Sequence, residues 1–553
     1  MSRLEIMSPT RARIVMEGLY KDLERRIESS PPGLCPVDMA RAFLELCHAQ
    51  TCGKCVPCRI GLGQLNQLIR DVLNGKATMD TLDLMEKTAL SIMDSADCAI
   101  GYEAAHMVLK GVRGFREDFE EHAFHGRCIC ALSHPVPCVS VCPAHVDVPG
   151  YVALVREGRY SDAVRLIRKD NPFPSACAYV CEHPCEAQCR RRMVDDAVNI
   201  CGLKRFAVDH GTDTPVPEKA PETGKTVAII GGGPGGLTAA YYLTLMGHKV
   251  TVYEQRPKLG GMLRYGIPDY RLPQEVLDRD IDYILSAGIA VHTGVSIGKD
   301  LTMADIQRSF DAVYIAIGAH NDKKLGLEGE TSKNVVSAVE LLRGIGEGKA
   351  PDFTGKKVCV VGGGNVSMDA TRTALRLGAE SVTCVYRRRV EDMTALAEEI
   401  EEAMAEGCQI LPLQAPSRIE ADENGCVCAL WTRPQHIGPY GNDGRPKPVA
   451  ADAPEFRIPC DYVIVAIGQA IEAKPFEAVG VTTQRGAIQA DLSSAVPGLD
   501  NVFAGGDAVS GPATVIRAVA AGKVAADNID AYLGFDHKIH TDVEIPPAHL
   551  TNS

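Results

Sequence analysis

The sequence predicts an α/β protein with two doubly wound parallel sheets, and three observations carry the prediction. First, Lys225 opens KTVAIIGGGPGGLTAAYYLTLMGHKVTVYEQR and Lys356 opens KKVCVVGGGNVSMDATRTALRLGAESVTCVYRRR; in each an apolar strand runs through a glycine turn into a helix and a second strand. Second, a later strand ending in Ala-Ile-Gly occurs twice, in DAVYIAIGA from Asp311 and DYVIVAIGQ from Asp461. Third, 15 of the 21 cysteines lie in residues 1–201. The predicted architecture is therefore two Rossmann-like nucleotide-binding domains, one inserted in the other, preceded by two mainly α-helical, cysteine-rich domains.

At ~150 residues per domain, 553 residues make three or four domains. A net charge of −13 speaks against a nucleic-acid partner, since nothing would release counterions from a phosphate backbone. The longest apolar stretch, Val227 to Gly247, is broken by five glycines and a proline in 231–236, so no membrane span is expected. No basic segment followed by an apolar one opens the chain, and a cytoplasmic location is expected. In that setting crowded cysteines point to metal or redox centres rather than disulfides.

Residues 1–48 read as a helical segment with a Pro-Pro-Gly break at 31–33. Residues 49–125 carry Cys52-Gly-Lys-Cys55-Val-Pro-Cys58-Arg59-Ile-Gly61, with Cys98 following 40 residues later. A zinc ribbon wants two separated pairs, so this crowded triplet favours one [4Fe–4S] cluster. With Cys98-Ala-Ile-Gly101 and Phe115-Arg-Glu-Asp-Phe119, the motif resembles the C-terminal cluster domain of the flavin-bearing subunit of respiratory complex I and of NAD-linked hydrogenases. The FMN and NADH module of those subunits has no counterpart here.

Residues 126–210 form a second constellation, ferredoxin-like in its cysteine runs. Cys128, Cys130, Cys138 and Cys142-Pro143 precede Cys177, Cys181, Cys185 and Cys189, which recur every four residues. Such spacing suits [4Fe–4S] clusters, and a Cys-Pro end is typical of runs whose last cysteine serves the other cluster. From Asp209 to Lys225 a Pro- and Thr-rich stretch without periodicity reads as a linker.

The first nucleotide-binding domain is expected over 225–350 and 460–540, and the second over 351–459. In the first turn Gly231 permits the bend, Gly233 lets a pyrophosphate approach and Gly236 lets helix and strand pack. Glu254 ends the second strand, where an acid accepts ribose hydroxyls. The second turn holds Gly362, Gly364, Asn365 and Ser367, and Arg387 stands where the first copy has Glu254. Arg387 and Arg388 can pair with the 2′-phosphate of NADP(H), which an acid would repel. Opposite chemistry at one position suggests a flavin in the first domain and NADPH in the second. Asp507, in Asn501-Val-Phe-Ala-Gly-Gly-Asp507, would face ribityl hydroxyls, and the helix from Thr514 would aim its N-terminus at the flavin.

These motifs, with Gly260-Gly261-Met-Leu-Arg264-Tyr-Gly-Ile-Pro268, Arg271-Leu-Pro273 and Tyr386-Arg387-Arg388, resemble the small subunit of NADPH-dependent glutamate synthase and its relatives over about 128–535. The resemblance implies hydride exchange between NADPH and FAD, with contacts from Gly261 and Arg264, and iron–sulfur clusters carrying single electrons onward. It also implies that Cys138, Cys189 and one of Cys128 or Cys130 hold one cluster, that Cys142, Cys181 and Cys185 hold another, and that Cys177 is no ligand. The chain departs from that family in two places. Its upstream pair is C-x-C rather than C-x2-C, which leaves one fourth ligand open. Lys204 stands where the family has Gln or Glu; Cys201, one turn earlier, is the candidate replacement, with water or Glu182 as alternatives.

The reading is an oxidoreductase subunit holding FAD, NADP(H) and three [4Fe–4S] clusters, with no catalytic side chain of its own. Its expected partners are a diaphorase-like FMN and iron–sulfur subunit, a small [2Fe–2S] subunit and ferredoxin, in a transhydrogenase or electron-bifurcating complex. The alternatives are a glutamate synthase small subunit and a non-catalytic iron–sulfur scaffold or sensor. The six cysteines after 201 are expected to be small buried hydrophobes.

Overall fold

The computed structural model describes residues 35–125, 136–212, 215–440 and 445–546. They fall into two bodies: residues up to Val148 with His183–Cys201, and Pro149–Glu182 with Gly202 onward.

The first body is helical. Helices Pro36–Ala49, Leu62–Leu73, Met79–Ser95, Ala99–Gly114 and Arg116–His125 close around Val37, Leu44, Leu65, Ile69, Leu82, Met85, Val108 and Phe119. The reason is periodic: Leu62, Leu65, Ile69 and Val72 recur at three- and four-residue intervals and line one face. Thr78 starts helix Met79–Ser95 with a capping box, its N–H donating to Thr81 Oγ1 at 3.0 Å. Helix Pro36–Ala49 packs on Ala99–Gly114, so this part of the expected 1–48 segment belongs to the 49–125 bundle. Further along, the short helices Pro137–Ser140 and Pro184–Ala187 pack on each other.

The second body contains two five-stranded parallel sheets of one design. In the first the order is Val502–Ala504, Ala312–Ile315, Thr226–Ile230, Lys249–Glu254, Ala290–Thr293. In the second it is Val335–Ser337, Tyr462–Val465, Lys357–Val361, Ser381–Val385, Gln409–Leu411. Each glycine-turn strand is central and nearly all buried, which explains its run of Val, Ile and Ala. The strand ending in Ala-Ile-Gly lies beside it in both sheets.

This corrects the boundaries expected at 351 and 460. Strands Val335–Ser337 and Tyr462–Val465 both belong to the second sheet, because each echo pairs with its own glycine-turn strand. The insertion itself is carried by Val502–Ala504, which returns to the first sheet. The two connections between the sheets pair antiparallel, Asn321 with Ala470 and Asp322 with Gln469. A four-stranded antiparallel sheet over Gln414–Pro459 extends the second unit, and no motif announced it.

The helices before the linker dock on the first unit. Asp280 accepts the N–H groups of Ser175 and Ala176 at the start of helix Pro174–Val180, the latter at 2.8 Å. Tyr242 donates its hydroxyl to the Lys169 carbonyl at 3.0 Å, and the Arg168 guanidinium lies 3.5 Å from the Tyr283 ring centre. After helix Ile200–His210, the linker is tied down where Ala220 and Thr223 donate to the carbonyls of Leu245 and Gly247. Among the described residues no helix is long and apolar enough to cross a membrane.

Candidate functional site

The first glycine turn shows why each glycine is there. Gly231 has φ +112°, and a Cβ on it would meet the Ala316 carbonyl oxygen at 2.4 Å. A Cβ on Gly236 would sit 2.0 Å from the Gly231 carbonyl oxygen. Gly233 is different: its nearest protein atom would be the Gly261 Cα at 3.7 Å, so its open side faces a cavity. The cavity measures about 230 Å3 and is lined by Gly231, Gly233, Glu254, Gly261 and Asp507. Helix Pro234–Leu245 starts at its wall, the arrangement that receives a pyrophosphate.

Glu254 is buried, and its carboxylate accepts the N–H of Gly232 at 2.8 Å and of Arg256 at 2.7 Å. Burial raises its pKa against these bonds, and each oxygen keeps a lone pair for a ribose hydroxyl. Burial also pushes the Asp507 carboxyl up to about 6, with one backbone N–H, from Ala513, opposing. A half-buried carboxyl short of donors is what ribityl hydroxyls would complete, so the cavity fits FAD. His320, also in the lining, is pushed down to about 4 by burial and by Arg256 and Arg343, and stays neutral. Arg264 departs from expectation. It is buried and donates to the Leu259 carbonyl, Gln274 and Asp278, which commits it to holding the loop rather than a flavin.

The second turn repeats the plan around a cavity of about 670 Å3. A Cβ on Gly362 would lie 2.3 Å from both the Ala466 carbonyl oxygen and Ser367 Oγ. Ser367, fully buried in place of the third glycine, donates Oγ–H to that carbonyl at 3.3 Å. Gly364, Asn365, Arg387 and Arg388 all line the cavity. Arg387 is exposed, with no ion pair or hydrogen bond among the described residues. Arg388 is buried and donates Nε–H to the Pro446 carbonyl at 2.8 Å. That bond holds the loop of the antiparallel sheet that brings Arg445 into the same lining. Sequence reading missed Arg445, since nothing around it marks a nucleotide site.

A third cavity, about 170 Å3, lies between the two. It shares Pro234, Met262, Asp507 and Ala518 with the first lining, and Asn365, Val366, Gln469 and Ala513 with the second. Thr514, which opens helix Val515–Tyr532, lines this cavity rather than the first. Arg271 on its wall pairs with Asp369 at 2.9 Å and Glu399 at 2.7 Å.

In the N-terminal bundle Cys52, Cys55, Cys58 and Cys98 converge. Burial, then a hydrogen bond that Cys58 donates to Cys55 and the charges of Cys55, Cys98 and Cys52, push the Cys58 thiol up to about 11. A buried thiol held protonated among three other cysteines suits a site where iron supplies the compensating charge. The Cys58 Sγ would be 2.7 Å from a Cβ on Gly101, so the glycine of Cys98-Ala-Ile-Gly101 lets helix Ala99–Gly114 approach the sulfur.

In the second constellation Cys138 and Cys189 are electrostatic neighbours, with burial raising the Cys138 thiol most. Cys142 is buried near Cys138, on the same short segment, and Cys185 lies in helix Pro184–Ala187. The Cys201 N–H donates to Glu186 Oε1 at 2.7 Å, which ties it to the residue after Cys185. Cys181 belongs to the second body, at the end of helix Pro174–Val180. Cys177 is fully buried there, with Lys204 acting on its thiol. Glu182, the acid named as an alternative ligand, accepts from Asn365 Nδ2 at its Oε1 at 3.0 Å and lines the third cavity. Cys128 and Cys130 lie outside the described residues. Cys359, Cys384, Cys408 and Cys460 are buried, while Cys426 and Cys428 are half-buried.

Three family models match the chain. The pyridine nucleotide-disulphide oxidoreductase model covers residues 225–522. The NADH-ubiquinone oxidoreductase-F iron-sulfur binding region covers 38–122, and dihydropyrimidine dehydrogenase domain II, 4Fe-4S cluster, covers 113–215. The NADP(+)-dependent formate dehydrogenase subunit beta of Moorella thermoacetica is 35% identical over 89% of this chain and 79% of its own length. The NADPH-Fe(3+) oxidoreductase subunit beta of Geobacter sulfurreducens is 36% identical over 94% of this chain and 82% of its own. The glutamate synthase [NADPH] small chain of Escherichia coli is 33% identical over 72% of this chain and 88% of its own. Among solved structures, Mycobacterium tuberculosis FprA in complex with NADPH shares the fold, with a TM-score of 0.50 at 19% identity over 57% of this chain and 85% of its own. The chain belongs to the pyridine nucleotide-disulphide oxidoreductase family, as a flavin- and NADP(H)-dependent oxidoreductase with 4Fe–4S domains ahead of its two nucleotide-binding units.

Proposed function

We propose that the chain passes electrons between NADP(H) and partner subunits, using one FAD and three [4Fe–4S] clusters. The observation that carries this reading is the third cavity, whose lining shares Pro234, Met262, Asp507 and Ala518 with the first nucleotide cavity and Asn365, Val366, Gln469 and Ala513 with the second. When bound, the cofactors supply the redox chemistry, converting between a hydride and single electrons and conducting the latter. The chain binds and orients. The Gly233 and Gly364 turns receive the two pyrophosphates on helix N-termini, Glu254 takes ribose hydroxyls and Asp507 the ribityl chain. Arg387, with Arg388 and Arg445 beside it, takes the 2′-phosphate. Cys52, Cys55, Cys58 and Cys98 hold one cluster; Cys138, Cys142, Cys181, Cys185 and Cys189 serve two more, with Cys201 completing one and Cys128 or Cys130 the other.

The module over 38–122 supports a partner of the diaphorase kind, an FMN and iron–sulfur subunit, with a small [2Fe–2S] subunit and ferredoxin as further members of a transhydrogenase or bifurcating complex. The cysteine-rich front half favours a cytoplasmic setting, where thiols stay reduced. Anaerobic addition of NADPH to the full-length holoprotein should bleach the flavin and then reduce a viologen dye. An unaltered flavin, or a flavin reduced faster by NADH, overturns the reading. The native complex should contain an FMN-bearing subunit; glutamate formed from added glutamine and 2-oxoglutarate would make it a glutamate synthase instead.

A further inference from the structure

Resting on that reading, we infer that Glu182 is a positioning residue for the nicotinamide ring, with its free carboxylate oxygen accepting the carboxamide N–H. The residues around the third cavity leave it this role. Asp369 is committed to Arg271, and Asp507 faces the first cavity as well. Glu182 is the remaining acid in the lining. Its Oε1 is fixed by Asn365 Nδ2 at 3.0 Å, and no described residue donates to its Oε2.

The anchor is itself rigid. Asn365 is the first residue of the helix after the second glycine turn, and its Oδ1 accepts the Leu396 N–H at 3.0 Å. Both ends of its amide are thus used, and Glu182 is held beside the start of the helix that follows the second glycine turn. A ring that enters this cavity shares its lining with Glu182, Pro234 and Met262. The carboxamide offers two N–H donors, and the oxidised ring carries a positive charge. An anionic acceptor suits both. Glu182 also follows Cys181 directly, so a residue touching the ring would sit one peptide bond from a proposed cluster ligand.

The test compares two ligands on the full-length holoprotein by calorimetry: NADP+, and 2′-phospho-ADP-ribose, which keeps the phosphates but lacks the nicotinamide. Glu182→Ala should weaken NADP+ about tenfold, the loss of one charge-assisted bond, and leave 2′-phospho-ADP-ribose within about twofold. Glu182→Gln has a single acceptor oxygen for two donors, Asn365 Nδ2 and the carboxamide N–H, so it too should weaken NADP+ while leaving 2′-phospho-ADP-ribose within about twofold. Equal weakening of both ligands would mean that Glu182 only props the turn, and no change in either would mean that the ring lies elsewhere. Either result overturns the inference while leaving the NADP(H) assignment standing. Wild-type protein that binds neither ligand overturns the assignment itself.

Discussion

Arg271 Nη1 lies 2.9 Å from Asp369 Oδ1, a pair that crosses from the flavin unit to the helix of the second glycine turn. Its other nitrogen reaches Glu399, and Arg372 continues the network to Glu399, Glu402 and Glu406. Burial pushes the Asp369 carboxyl up to about 6 even with Arg271 beside it.

Arg271→Ala should therefore cost about 3 kcal/mol, because it leaves a buried carboxylate unpaired. The sign of the pH effect follows from the raised pKa. The fold holds the Asp369 proton more tightly than the unfolded chain, so this group's contribution falls as pH rises from about 4 to 6. Without Arg271 that fall should deepen. Melting curves of the variant should show a larger Tm loss at pH 8 than at pH 5, and an equal loss at both would refute this account.

Coenzyme choice should follow the arginines. Arg387→Ala should raise the Michaelis constant for NADPH by about tenfold and leave that for NADH nearly unchanged. Arg445→Ala should act in the same direction, since it lines the same cavity. Arg388→Ala should do so with a loss of stability, because it also frees the Pro446 loop. Steady-state kinetics with both coenzymes decides the matter; an Arg387 variant with unaltered NADPH kinetics contradicts it.

Cys55→Ser should remove one cluster, reducing iron from about twelve to about eight per chain on the three-cluster count. Flavin reduction by NADPH should survive, because Cys55 belongs to the first body and both glycine turns to the second. Iron analysis and anaerobic spectra read both quantities. Loss of flavin together with the cluster would show that the two bodies are not independent.

Asp530 should anchor the end of the C-terminal helix. It accepts from His248 Nε2 at 2.9 Å, His537 Nδ1 at 2.7 Å and the His537 N–H at 2.8 Å, and it and His248 are almost fully buried. Asp530→Ala strands these donors and should cost about 2 kcal/mol. In the wild type burial lowers the His248 pKa, so the fold resists protonation there and this contribution is lost as pH falls below the ordinary histidine range. The Asp530 pKa is lowered too, chiefly by its bonds from His537 and His248 against burial, so its share is lost further down the acid range. Acid melting curves of wild type and variant should converge; parallel curves would exclude the pair as the cause.

The places of the glycine turns, Glu254, Asp507 and Arg387 were legible because each sits on a local feature, a bend, a strand end or a helix start, and all line the cavities. Arg445 and the link from Glu182 to Asn365 were not, since each joins segments far apart in the chain and only the fold brings them together. Arg264 misled for the complementary reason. Its motif was visible, but the residues that consume its donors, Gln274 and Asp278, sit a helix away. The domain boundaries failed at strand pairing. Local pattern identifies Tyr462–Val465 as a strand, whereas its neighbours decide which sheet owns it.

The short ladder joining Asn321 to Ala470 and Asp322 to Gln469 has a consequence for how such a chain can arise. The way into the second unit and the way out run side by side, so the whole unit hangs from the first like a cassette on two adjacent pins. Excising residues 323–468 would leave ends already close enough for a hairpin turn, with little loop-closure entropy to overcome. A gene could gain or lose the NADP(H)-binding half in one event, and the flavin-binding sheet would keep all five strands in register.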